Sequence, residues 1–97
     1  MSVEDLLNLI GKYLGEYNRY FASKCIERNV CKFYIIDERG LIGGIVYYIL
    51  DNIVVLYYIV VDENYRGRGY GRKLVETIEK LNGLDKIYIA TTRSDNT

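Results

Sequence analysis

The sequence has no histidine, no proline and no tryptophan, and only two cysteines among its 97 residues. Without histidine there is no imidazole general base, no His-based metal motif and no Ser-His or Cys-His nucleophile pair. Cys25 and Cys31 lie six residues apart, a spacing that fits no metal pattern, and no metal site is expected. The two are read as ordinary small apolar residues. The chain also lacks net charge, with 13 Lys+Arg against 13 Asp+Glu. A nucleic-acid binder normally carries a basic excess, so none is expected as a partner. The longest uncharged run, Gly40 to Leu50, is eleven residues, and the run that holds Ile53 to Val61 is shorter. A membrane helix needs about 20, so no membrane association is expected. The start, Met-Ser-Val-Glu-Asp, puts acids where a signal peptide carries Lys or Arg. A cytoplasmic location is the expectation.

What is present reads as one globular domain over residues 1–97, with 49% apolar residues. A domain this small buries a modest core, which leaves room for oligomerisation. Ser2 followed by Asp5 marks a helix start, and Leu6, Leu7, Ile10, Tyr13, Leu14 and Tyr17 recur at helical spacing. Gly11 and Gly15 predict a break near 14–16, and a second helix runs to about Arg28 with Tyr17, Phe21 and Cys25 on one face. Lys32 to Asp37, Leu41 to Leu50 and Ile53 to Val61 read as three strands joined by Glu38-Arg39-Gly40 and Asp51-Asn52. Gly43-Gly44 marks a bulge or a close backbone approach. The third strand lacks clean alternation, which places it centrally. The tyrosine pairs 47–48 and 57–58 read as sheet residues, one per face.

A helix is predicted from about Gly71, with Leu74, Val75, Ile78 and Leu81 as its apolar stripe and Asn82-Gly83 at its end. Leu84 to Thr91 reads as a last strand, parallel to the third. The fold class is α/β with a mixed sheet, in the order α-α-β-β-β-α-β. The tail Thr92 to Thr97 is polar, and Ser94-Asp95-Asn96-Thr97 reads as a frayed terminus.

The chemistry is concentrated in Val61-Asp-Glu-Asn-Tyr-Arg-Gly-Arg-Gly-Tyr-Gly-Arg72, between the central strand and the helix. Glycines at 67, 69 and 71 let backbone N–H groups approach a ligand. The helix N-terminus adds unpaired donors and a positive dipole end. Arg66, Arg68, Arg72 and Lys73 add charge with no acid between them. Such a place binds phosphate. It is no Walker A loop, because Gly71-Arg72-Lys73 does not supply Gly-Lys-Ser/Thr. It is no G-x-G-x-x-G fingerprint either, because position 72 is Arg.

The segment Arg66-Gly67-Arg68-Gly69-Tyr70-Gly71 resembles the pyrophosphate loop of the GNAT superfamily of N-acetyltransferases. That signature is Arg or Gln, two residues, Gly, one residue, then Gly or Ala. The element order resembles the family's as well. The resemblance implies a GNAT-like core that uses acetyl-CoA as co-substrate and transfers acetyl to an amine by direct attack. It implies that Arg66, Gly67, Arg68, Gly69, Tyr70, Gly71 and Arg72 hold the pyrophosphate. It implies that Ile59, Val60 and Val61 run beside the pantetheine arm.

The chain departs from the family in three places. The strand Glu found in many relatives corresponds to Tyr57, and the strand carries no acid. Tyr57 and the loop acids Asp62 and Glu63 are the weak candidates for acid-base work. A short form is expected, truncated before the family's further helix and last two strands. No first strand precedes the first helix, since Met1 to Val3 is too short. A non-catalytic CoA-binding or regulatory relic therefore stays open beside the enzyme, with a homodimer to complete the sheet.

Overall fold

Ser2 sets the start of the first helix. Its backbone N–H donates to Asp5 Oδ2 at 3.1 Å and its hydroxyl to the same oxygen at 3.3 Å. The computed structural model describes residues 2–90. Helix α1 spans Val3–Leu14 and α2 spans Glu16–Glu27. Gly15 joins them at φ 97°, a left-handed geometry that suits glycine. The sheet follows as β1 (Lys32–Asp37), β2 (Leu41–Leu50) and β3 (Ile53–Val61). A 3₁₀ turn at Glu63–Tyr65 leads to helix α3 (Tyr70–Asn82) and strand β4 (Ile87–Ala90). The expected order α-α-β-β-β-α-β holds.

The described sheet has the order β1-β2-β3-β4. β1, β2 and β3 are antiparallel neighbours, and β4 runs parallel to β3 after the α3 crossover. Helices α1 and α2 cover one face around Leu6, Leu7, Ile10, Val46, Tyr58 and Val60. Helix α3 covers the other around Ile45, Val54, Leu56, Val61, Leu74 and Ile78. Each apolar face is thereby removed from water, which is the dominant stabilising term.

Gly43 and Gly44 serve close approach. A Cβ on Gly43 would lie 2.5 Å from the Val60 carbonyl oxygen, and one on Gly44 2.5 Å from Leu6 Cδ1. A register shift lies beside them, since Ile36 pairs with Gly43 and Asp37 with Leu41, which leaves Ile42 with no opposite number on β1. A second lies on β3. Val46 pairs with Tyr58 and Tyr47 with Leu56, so Tyr57 has no opposite number on β2. This corrects the one-per-face reading of the second tyrosine pair. Tyr47 and Tyr48 do face opposite layers, but Tyr57 and Tyr58 both face α1 and α2. Their rings stack at 4.5 Å.

Three more expectations change. Cys25 and Cys31 form a disulfide, with Cα atoms 5.1 Å apart. Asn29 at φ 60° turns the chain back after α2, and the N–H groups of Val30 and Cys31 both donate to the Cys25 carbonyl at 3.0 Å. That turn brings together two residues whose spacing alone says nothing of Cβ distance. Leu81 is exposed and does not belong to the α3 core stripe. Leu84 to Lys86 form a turn after Gly83, so the last strand begins at Ile87. Thr91 and the tail fall outside the described residues. No helix among the described residues is long and apolar enough to cross a membrane.

Candidate active site

The Arg-Gly segment leaves the end of β3 and enters α3. At its start the Asp62 N–H donates to the Ile42 carbonyl at 2.7 Å, which fixes the strand end against β2. Asp62 also accepts from the Asn64 N–H at 2.9 Å and the Tyr65 N–H at 2.9 Å, closing the 3₁₀ turn. The side chain of Arg66 turns back over this turn. Its Nε–H donates to the Val61 carbonyl at 3.0 Å, and its guanidinium lies over the Tyr13 ring at 4.1 Å. The Tyr13 hydroxyl accepts from the Glu63 N–H at 3.1 Å. Tyr13 thus braces both ends of the turn. The sequence reading took it only as one residue of an apolar helix stripe.

Beyond Arg66 the backbone opens. Gly67 and Gly69 sit at φ 77° and 82°, and a Cβ on either would meet nothing within 4 Å. The conformation, not crowding, demands glycine there, and the space over the loop is clear. Gly69 is the N-cap of α3, with no side-chain cap. The first N–H groups of α3 have no partner inside the helix, and its first turn holds no acid. Arg68 and Arg72 are exposed, and Gly71 is buried against the sheet. Arg68 leans over the Tyr65 ring at 5.8 Å, and Tyr65 meets Tyr70 edge-on at 6.0 Å. Among the described residues, the ion pairs do not include Arg68, Arg72 or Lys73. These are backbone donors beside exposed cationic side chains, a combination suited to a phosphate-bearing ligand.

On the other side of β3, pairing with β4 runs from Ile53↔Ile87 to Leu56↔Ala90. The bulged Tyr57 is the next residue, so the bulge lies where the described parallel ladder stops. Ile59, Val60 and Val61 continue β3 from there to the loop, paired with β2 through Ile45, Gly44 and Gly43. Tyr57 lies among rings, edge-on to Phe21 at 6.1 Å and to Tyr48 at 6.0 Å. Glu63 is exposed and its carboxylate lies 3.6 Å from Lys12 Nζ. The candidates for acid-base work therefore sit apart, Tyr57 at the middle of β3 and Asp62 and Glu63 past its end. No group of three or more His, Cys, Asp or Glu able to hold a metal is present among the described residues.

The description of the acetyltransferase (GNAT) family matches residues 3–97. The chain belongs to this family. Among solved structures it is similar to Tetrahymena GCN5, at 21% identity and a TM-score of 0.73, over 86% of this chain and 54% of that one. It is similar to an aminoglycoside acetyltransferase from an uncultured soil metagenomic sample, crystallised with sisomicin. That match has 18% identity and a TM-score of 0.69, over 96% of this chain and 69% of that one. It is also similar to a ribosomal-protein-alanine N-acetyltransferase from Brucella melitensis biovar Abortus 2308. There the identity is 13% and the TM-score 0.69, over 95% of this chain and 72% of that one. The chain spans about half the length of the Tetrahymena protein. No curated protein matches it. At these identities the likeness is one of fold.

Proposed function

We propose that this GNAT chain is an acetyl-CoA-dependent N-acetyltransferase that passes acetyl directly to an amine. The observation that carries the reading is the pair of left-handed glycines, Gly67 and Gly69, with open space above them at the N-terminus of α3. In this reading the N–H groups of residues 67–72 take the pyrophosphate of the co-substrate, and Arg68 and Arg72 supply the countercharge. Arg66 acts differently from its neighbours, since its side chain holds the loop onto Val61 and Tyr13. Ile59, Val60 and Val61 line the pantetheine arm.

Acetyl-CoA supplies an activated thioester carbonyl when bound. The bulge takes the Tyr57 backbone out of the β2 ladder and leaves its polar groups for other partners near that carbonyl. The amine lone pair forms the C–N bond as the C–S bond breaks. The amine proton is given up and the departing thiolate takes one, so an amide and CoA result. The rate comes mainly from holding the two reactants together. Tyr57 and Glu63 are the groups nearest to acid-base duty, and residues 1–97 act as one domain.

A second reading has one observation in its favour. β3 carries no carboxylate, and the acids past its end are engaged, Asp62 with the Asn64 N–H and Glu63 with Lys12. A chain that binds CoA without turnover, paired as a homodimer along β4, fits that observation. Release of free thiol from acetyl-CoA in the presence of an amine panel separates the two. Steady amine-dependent release supports the enzyme. Binding of acetyl-CoA with no release supports the non-catalytic form.

A further inference from the structure

A continuous run of aromatic rings leads from the surface of α2 to the bulge on β3. Tyr17, 72% exposed, lies 5.8 Å from Phe21, which is 42% exposed. Phe21 meets Tyr57 edge-on, and Tyr57 meets Tyr48 in the same way. Beneath them Tyr58 stacks on Tyr57, and its O–H donates to Asn18 Oδ1 at 3.0 Å. Asn18 in turn donates to the Leu14 carbonyl at 2.7 Å. The inner end of the run is therefore fixed and the outer end is open to solvent.

No carboxylate belongs to this run. Rings of this layer already hold cations, with Lys24 Nζ 5.6 Å from the Tyr20 ring centre and Arg66 over Tyr13. Next to Phe21 lies a cavity of about 290 Å³ lined by Tyr20, Phe21, Lys24, Cys25, Arg28 and Val30. Its charged side chains are Lys24, which is paired with Glu27 at 3.5 Å, and Arg28. One ammonium is welcome on the ring faces, but a second cation further along the ligand would meet these two bases. An aromatic or bulky apolar body would stack on Phe21 and Tyr17 instead.

We infer that the Tyr17–Phe21–Tyr57–Tyr48 run is the acceptor subsite, and that its acceptor is a monoamine carried on an aromatic or bulky apolar group. The inference rests on the acetyltransferase reading, which puts the acetyl group near Tyr57. The rings hold the body of the acceptor and set its amine at the bulge, so Phe21 and Tyr17 determine specificity.

The test compares 2-phenylethylamine with spermidine as acceptors at saturating acetyl-CoA, in the intact chain and in Phe21→Ala and Phe21→Tyr. Phe21 is exposed enough for both substitutions to leave the fold intact. The expected result is a kcat/KM at least about tenfold higher for 2-phenylethylamine. Phe21→Ala should raise its KM about five- to tenfold with kcat little changed, and Phe21→Tyr should restore it. Preference for spermidine, or a KM indifferent to Phe21→Ala, overturns the inference. Acetyl-CoA binding, measured separately by calorimetry, reports on the acetyltransferase reading itself. If there is no turnover, titration of 2-phenylethylamine against the aromatic proton signals decides. Shifts confined to the run and lost in Phe21→Ala support the subsite, and no shifts overturn it.

Discussion

The guanidinium of Arg66 lies 4.1 Å from the centre of the Tyr13 ring, which joins the Arg-Gly loop to the first helix. The same Arg66 side chain donates to the Val61 carbonyl, and the Tyr13 hydroxyl accepts from the Glu63 N–H. One arginine and one tyrosine therefore set the angle at which the loop leaves β3.

Breaking this brace should loosen the loop more than the fold. Tyr13→Phe keeps the ring and loses only the hydroxyl acceptor, for about 1 kcal/mol of stability. Arg66→Lys loses the fork that reaches Val61 and the ring together. It should weaken acetyl-CoA binding about tenfold while lowering the denaturant midpoint only slightly. Calorimetry and urea unfolding on the same two variants check both halves.

Gly69 at φ 82° should not tolerate a side chain. Gly69→Ala forces a Cβ into the left-handed region, at a cost of about 1–2 kcal/mol. The alternative is for the backbone to shift and misalign the α3 amides. Gly15, at φ 97° but far from the loop, serves as the control. Gly15→Ala should lower stability comparably and leave acetyl-CoA affinity unchanged.

The disulfide closes a short loop between α2 and β1. Chain-entropy reasoning gives about 2 kcal/mol for a loop of this size. Reduction, or the Cys25→Ser and Cys31→Ser pair, should lower Tm by on the order of 10 °C for a domain this small. Thermal unfolding with and without reductant measures it. No change in Tm would mean the bridge adds nothing to the turn at Asn29.

Tyr88 gives stability a defined alkaline limit. Its hydroxyl donates to the Gly83 carbonyl at 2.6 Å, at the end of α3. Burial raises its pKa above the ordinary 10.0, with the charges of Glu79 and Asp85 adding to the effect. The folded state then holds the phenol proton more tightly than the unfolded chain. This contribution is complete below pH 10 and is lost as pH rises through the raised folded value. Tyr88→Phe should flatten that alkaline decline, and stability against pH from 8 to 12 would show it.

The strands were legible because runs of Val, Ile and Tyr are bounded by clear turn residues. Lys32–Asp37, Leu41–Leu50 and Ile53–Val61 carry the ends that the sequence predicts. The glycines of the loop were legible because nothing else explains three at alternate positions. The bulge at Tyr57 was not, because a Tyr-Tyr pair reads the same whether it alternates or doubles on one face. Nor was the disulfide, since it depends on the turn at Asn29 and not on spacing. Arg66 shows a further limit. Its charge suggests a ligand contact, while the geometry turns its side chain toward Tyr13 and Val61. Leu84 misled as a strand start because its apolar character is not used, and it is 80% exposed.

The most direct measurement is a calorimetric titration of the chain with acetyl-CoA, CoA and ATP, repeated in Arg68→Glu combined with Gly69→Val. The account predicts micromolar binding of acetyl-CoA, clear preference over ATP, and loss of that binding in the double variant. Equal affinity for acetyl-CoA and ATP, or binding that survives the double variant, would contradict it.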